Sequence, residues 1–411
     1  MFVRRQPSTT PSFLIRSIAP LSAAVVAAGL LAVASPARAD EASQPAPPAP
    51  PTALAASSIS VVPAADVPAV AAKQEPLPTW LKSLSLGGGA VLWYYSPVNT
   101  GAKQNVDLFF ANLLLDGHFG AVGLHIEPRF RDSRLRGFYS APVWAQEAYV
   151  SVVVAKDTVI KAGKEYSRFG LFWDNSFYGN VQVYDGLKLD PDYGLSLEGA
   201  VGADGDKGLR YYAQYFVIDG HTNVSLDGRD TISIPGANRR NESILRAEPF
   251  IKSANGLVAT GGLSGAFLQA ALPTGTKNVY RGAADLKVAG KSWSAWGEYT
   301  YQNGQTVTDF PVAGTPATAT TPAILGQASA HNHYGLVGGQ YTVQKVTLRY
   351  NVSTGRYSDV STTELLNVPA LAVAVGDNLT VLGEYVDWRR FTPAGHSFVD
   401  RSVDITLNGH F

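Results

Sequence analysis

The residues best placed to do chemistry are charged side chains at short, regular spacing. Arg129, Arg131, Arg134 and Arg136 follow one another at intervals of two and three, with Glu127 before them and Glu147 soon after. A second group lies in residues 167–192, where Asp174, Asp185, Asp190 and Asp192 stand against Arg168 and Lys188 among Phe169, Phe172, Trp173, Phe177 and Tyr178. Neither group is suited to bond-making. Opposed rows of charge instead set a transverse field that can filter small polar solutes. In the competing arrangement the arginines pair with acids such as Glu127 and Glu147 and hold a wall together. Further charges of both signs are scattered along the chain, with Arg210, Arg246, Arg281, Lys287 and Arg349 against Glu198, Glu248, Asp285, Glu298, Glu384 and Asp404. Such mixed walls are common in non-selective pores, and the mixture does not assign an anion or cation preference.

Nucleophilic catalysis needs serine, histidine and an acid in a set geometry. His125, His221, His331, His333, His396 and His410 are present, but none sits in a recognisable motif, so no catalytic residue is assigned. His331-Asn332-His333 has metal-like spacing, yet two loop histidines without thiolates or a third ligand are ordinarily solvated. The chain has no cysteine. That excludes disulfides and thiolate metal sites, and no other metal site or cofactor is assigned.

From Trp80 onward the hydrophobic period is two, the period of a strand. Val403, Ile405, Leu407, Gly409 and Phe411 fall on one face, with Ser402, Asp404, Thr406, Asn408 and His410 on the other. Val122, Leu124, Ile126 and Phe130 alternate likewise with His125, Glu127, Arg129 and Arg131. The pattern predicts about 16 strands, near 83–95, 105–117, 121–131, 142–155, 158–166, 193–203, 208–219, 242–253, 257–269, 278–289, 291–302, 333–342, 345–354, 364–375, 378–389 and 400–411. Residues 105–117 and 364–375 alternate poorly. Short connections such as Lys156-Asp157 and Gly290 take turns with longer ones at 96–104, 132–141, 167–192, 220–241, 270–277, 303–332, 355–363 and 390–399.

Tight turns at one end and long loops at the other belong to transmembrane β-barrels rather than to sandwiches. An even strand number puts both termini on one side. An arginine facing mid-bilayer lipid costs roughly 2–4 kcal/mol, so the face carrying Arg129, Arg131, Arg210, Arg246, Arg281 and Arg349 must line a wet lumen. Sixteen strands enclose water rather than a packed core. Trp93, Tyr94, Trp144, Tyr149, Tyr299 and Tyr301 are candidates for interfacial aromatic girdles.

The N-terminus reads as an address. Arg4, Arg5 and Arg16 precede an apolar run from Ile18 to Ala34, and Ala37-Arg38-Ala39 is a small-x-small cleavage site. Residues 1–39 are thus an expected signal peptide, residues 40–79 a Pro/Ala-rich disordered periplasmic linker, and residues 80–411 the barrel. The formal charge of +0 hides a split, because the four arginines before Asp40 have no acid among them, and residues 40–411 are acidic by about four charges. A mildly acidic chain without a Lys/Arg block argues against nucleic acid as a partner. Mean hydropathy is near zero and no long apolar run follows residue 40, which excludes helical spans but not a barrel.

Together, the signal sequence, the alternating strands and the closing segment Val403–Phe411 resemble the Gram-negative outer-membrane porin superfamily. The resemblance covers residues 80–411 as architecture. It implies a passive channel for small hydrophilic solutes or ions, a homotrimer in the outer-membrane bilayer, a third loop (167–192) folded into the pore, and a terminal Phe411 read by the barrel-assembly machinery. Ala162-Gly163-Lys164-Glu165-Tyr166-Ser167-Arg168-Phe169-Gly170-Leu171 is similar to the strand-to-loop junction of the phosphate-selective porin O/P-like group. It lacks the proline often found before Phe-Gly, and the chain lacks a dense basic ladder, so phosphate selectivity is not carried over. Three alternatives stay open: an outer-membrane barrel with substrate-specific uptake of an anion such as phosphate, a barrel enzyme, and a secreted soluble β-rich binding protein. The terminal Phe and the charged inner face speak against the last.

Overall fold

A computed structural model describes residues 83–99, 103–132, 143–171, 191–203, 205–218, 238–272, 275–307, 328–393 and 395–411. The expected signal peptide and linker lie outside these residues, as do Arg134, Arg136, Asp174, Asp185 and Lys188.

The described residues form 16 strands. They are β1 (Leu84–Pro97), β2 (Asn105–Phe119), β3 (Val122–Phe130), β4 (Val143–Ala155), β5 (Thr158–Glu165), β6 (Asp192–Val201), β7 (Lys207–Ile218) and β8 (Asn238–Lys252). They continue as β9 (Val258–Leu272), β10 (Gly275–Ala289), β11 (Trp293–Val307), β12 (Ala328–Val343), β13 (Val346–Tyr357), β14 (Thr362–Ala374), β15 (Leu379–Thr392) and β16 (Gly395–His410). Each strand pairs antiparallel with its neighbours in sequence, and β1 pairs with β16, so the sheet closes on itself as a barrel. Closure removes every sheet edge and satisfies the backbone within the barrel.

The alternation resolves as expected into two faces, and their polarity is inverted relative to a soluble protein. Outward side chains are apolar and exposed, as at Leu245 (63%), Leu263 (65%) and Val337 (67%). Inward ones include charged groups that are almost fully buried, among them Glu242, Arg246, Arg281, Glu364 and Asp404. Exposed leucine on one side and buried carboxylate on the other is the arrangement of a barrel surrounded by lipid.

Several boundaries differ from the sequence pattern. The connection expected at 270–277 narrows to 273–274, and that at 390–399 narrows to 393–394. β8 and β12 begin at Asn238 and Ala328 rather than at 242 and 333. These extensions are polar, as in Asn238-Arg239-Arg240-Asn241, so they carry no apolar alternation while still completing ladder hydrogen bonds. His331 and His333 lie in β12, not in a loop. The poor alternation of 105–117 and 364–375 also has causes. The β1–β2 register shifts so that Phe109 is an extra residue. In β14, Leu366 and Val368 face inward and are fully buried, so both faces of that strand are apolar.

A second bulge arises opposite Pro128, which has no N–H to give to the ladder. Glu127 pairs with Glu147 but Pro128 pairs with Ala145, leaving Gln146 as the extra residue of β4. Glu147 is thereby turned to the same inner face as Trp144.

Candidate functional site

The site is the inner wall where the β5–β6 connection enters the lumen. Residues 166–171 leave β5 and fasten to successive strands around the wall. The Tyr166 N–H donates to Glu147 Oε1 at 3.4 Å, and the Tyr166 hydroxyl accepts from Arg129 at 3.0 Å. Gln214 on β7 accepts from the Arg168 N–H at 2.6 Å and donates to the Tyr166 carbonyl at 3.0 Å. Gly170 N–H donates to Ser264 on β9 at 3.3 Å, and Leu171 N–H donates to Glu298 on β11. These bonds carry the segment from the β4–β5 side to β11, so it crosses the lumen rather than standing outside it. Burial pushes the Tyr166 phenol well above its ordinary value, leaving a neutral hydroxyl for Arg129 to address.

Glycine is favoured at position 170. Its φ is +60°, and a Cβ there would overlap the Glu298 carboxylate. Phe169 is fully buried and Leu171 nearly so, within an apolar band contributed by β7, β8, β9, β10, β11, β12, β13, β14 and β15. Phe216, Ile244, Trp296, Tyr334, Tyr357 and Leu366 are its largest members. An inward apolar band was not expected, because the inner face was identified by its charges alone. The poor alternation of residues 364–375 is its one trace in the sequence.

The charged residues singled out by sequence lie on the inner face wherever they are described, and most are paired. Arg129 Nε meets Glu127 Oε1 at 2.7 Å, and its guanidinium stacks on Phe110 at 4.3 Å. Arg131 stacks on Trp144 at 4.3 Å. Arg168 approaches Glu198 at 3.5 Å, Arg210 approaches Glu248 at 3.3 Å, and Arg281 approaches Glu242 at 3.6 Å. Arg349 faces inward on β13, in register with Ala370, whose other neighbour is Glu384 on β15. Arg246 grips Asp285 with both terminal nitrogens, at 2.7 and 3.1 Å, and shares Ser264 with Gly170. The same pair thus braces the wall and the segment crossing it.

Three expected girdle aromatics are instead lumen groups. Trp93 donates to Asp404 at 2.9 Å, Trp144 donates to Gln146 at 2.5 Å, and Tyr149 stacks on His125 with ring centroids 4.9 Å apart. A short run of aromatics does not show which residues have inward parity, whereas the charges beside them do. Tyr94, Tyr299 and Tyr301 do face outward. Tyr299 and Tyr301 flank His333, whose Nδ1 lies 2.7 Å from the Tyr299 hydroxyl. His331 meets Asp359 at 3.0 Å.

Phe411 follows the last strand at the seam. Its N–H donates to the Gly88 carbonyl at 2.9 Å, and its ring lies over Gly88 where a Cβ would collide.

No protein-family model matches the chain, and no curated protein is significantly similar to it. Solved structures do match. The outer membrane channel DcaP of Acinetobacter baumannii is similar over 80% of this chain and 97% of its own, with 14% identity and a TM-score of 0.52. OmpF of Salmonella typhi, solved with daunomycin, gives the same coverage, identity and score. The fold is that of the outer-membrane porins. An anion-selective porin from Comamonas acidovorans matches over 80% of this chain and 99% of its own, at 8% identity and a TM-score of 0.52. At these identities the likeness is one of fold alone.

Proposed function

We propose that this chain is an outer-membrane porin, a water-filled channel for passive diffusion of small hydrophilic solutes or ions. The observation that carries this reading is the inverted polarity of a closed 16-strand barrel, with lipid-compatible side chains outside and charged pairs inside. The porin fold supports it. In this reading residues 1–39 export the chain, 40–79 form a periplasmic tether, and the short turns face the periplasm. Assembly as a homotrimer, and reading of Phe411 by the barrel-assembly machinery, rest on the resemblance of the sequence to porins. The lumen charges Glu127, Arg129, Arg131, Glu147, Arg168, Arg210, Arg281 and Arg349 are proposed as pore-lining, with Arg134, Arg136, Asp174, Asp185 and Lys188 completing the constriction.

The finer kinship with the phosphate-selective O/P-like group rests on residues 162–171, whose Phe169-Gly170 pair begins the lumen crossing. Substrate-specific anion uptake is the second reading, but that junction carries no phosphate selectivity with it, because the chain lacks a dense basic ladder.

Planar-bilayer conductance of detergent-purified protein under a KCl gradient tests the proposal. Stepwise openings, grouped in threes for a trimer, support it. A folded, heat-modifiable barrel that conducts nothing refutes it.

A further inference from the structure

We propose that His125, Glu127 and Glu147 form a binding site for a divalent transition-metal ion, with Zn²⁺ as the reference ion, on the lumen wall. The three side chains present one nitrogen and two carboxylate oxygens within 4.8 Å of one another. β3 and β4 position them. His125 and Glu127 are two residues apart on the inner face of β3, and Glu127 pairs directly with Glu147 in the β3–β4 register. The bulge at Gln146 brings Glu147 onto that face.

The hydrogen bonds around the cluster leave the ligand atoms available. His125 Nδ1 lies 2.7 Å from Asp116 Oδ1, which in the neutral ring fixes the proton on Nδ1 and turns the Nε2 lone pair inward. A carboxylate behind the far nitrogen is how metal-bound imidazoles are commonly oriented. His125 Nε2 is buried, has no hydrogen-bond partner, and faces Glu147 Oε2 at 3.9 Å. Both bonds to Glu127, from Asn112 at 2.8 Å and Arg129 at 2.7 Å, fall on Oε1. Glu147 spends Oε1 on the Tyr166 N–H, leaving Oε2 toward His125.

Charge points the same way. Like charges directly opposite across two strands are unfavourable. Asp116, Glu127 and Glu147 gather around one imidazole, with Arg129 joined to Glu127. A cation held among the three ligand atoms compensates Glu147 and satisfies Nε2 together. One imidazole nitrogen with two carboxylates suits Zn²⁺ and its first-row neighbours. It suits Ca²⁺ and Mg²⁺ less, since these take all-oxygen sets. Tetrahedral bonds of about 2.1 Å hold ligand atoms about 3.4 Å apart, so His125 Nε2 and Glu147 Oε2, now 3.9 Å apart, close by about half an ångström. Any pair near the 4.8 Å limit closes by about 1.4 Å through side-chain rotation.

The site adjoins Tyr166, the first residue of the segment that crosses the lumen, so a bound ion adds positive charge where solutes must pass. Binding is read directly and does not depend on the channel reading.

The test is calorimetric titration of the detergent-folded barrel with Zn²⁺ alone, beside His125→Ala, Glu147→Gln and Asp116→Asn barrels. Heat-modifiable migration verifies folding of each. The expected result is one Zn²⁺ per barrel, lost in His125→Ala and Glu147→Gln and weakened about 10- to 100-fold in Asp116→Asn. Asp116→Asn and Glu147→Gln are near-isosteric, so they decide the matter should His125→Ala fail to fold. A wild-type barrel that takes up no Zn²⁺ overturns the proposal. So does binding that survives these substitutions, which would place the ion on His331, His333 or His410 instead.

Discussion

Glu298, on β11, accepts the main-chain N–H of Leu171, 127 residues earlier in the chain, and its carboxylate lies against Gly170 where a Cβ would have to displace it. The contact pins the lumen-crossing segment to the wall opposite its root. Removing the carboxylate by Glu298→Ala should release that end and raise single-channel conductance and current noise. Gly170→Ala should act in the same direction, with an added conformational cost of about 1–2 kcal/mol at its positive φ. Conductance and noise unchanged in both variants would show that the segment does not narrow the path.

Arg246 and Asp285 form a two-pronged pair with side chains only 3% and 1% exposed. Breaking a buried pair from one side leaves an uncompensated charge and costs about 3–5 kcal/mol. Asp285→Ala should sit near the low end, because Arg246 keeps Glu248 at 2.8 Å. Urea unfolding in detergent micelles measures this. The double variant Arg246→Met/Asp285→Ala should be less destabilised than the two single losses added together. Strict additivity would deny the coupling.

Outward Leu263 is 65% exposed in the middle of β9. In a soluble protein Leu263→Arg would be nearly neutral. In a barrel facing lipid it should cost about 2–4 kcal/mol. Folding yield and unfolding free energy in phospholipid vesicles distinguish the two, and a neutral result would remove the barrel from the membrane.

Arg129 and Arg131 are proposed to set part of the ion preference. Reversing both to glutamate places new negative charge beside Glu127 and removes the cation stacked on Trp144. The reversal potential under a KCl gradient should move toward cation selectivity. A permeability ratio equal to wild type would assign these arginines to wall support alone.

The barrel was legible because lipid and water impose opposite demands on alternate residues. Ile405 beside Asp404 and Thr406 states the parity of β16 without further context. The inner placement of Arg210, Arg246 and Arg281 came from the cost of charge in lipid. Other features depend on parity resets or on partners far along the chain. Pro128 displaces the register of β4 by one residue, so Glu147 faces the lumen only after the bulge at Gln146. Trp93 looks like any strand aromatic until β16 brings Asp404 to its indole N–H, 311 residues away. Leu366 and Val368 point inward against the rule that inner residues are polar, because Phe169 and Leu171 come to rest in the same apolar cluster.

The β1–β16 seam is different in kind from every other pairing in the barrel. Fifteen ladders join strands that are consecutive in the chain, whereas the seam joins Gly89 to His410 and Pro97 to Ser402. Each hairpin can therefore zip locally with a small loop-closure entropy, while the seam brings together residues more than 300 positions apart. Until β16 is in place, β1 offers an open edge to any other extended segment. The last strand made thus decides whether the whole sheet becomes a closed ring or a template for aggregation. Closing the ring therefore costs more chain entropy than forming any of the other fifteen pairings.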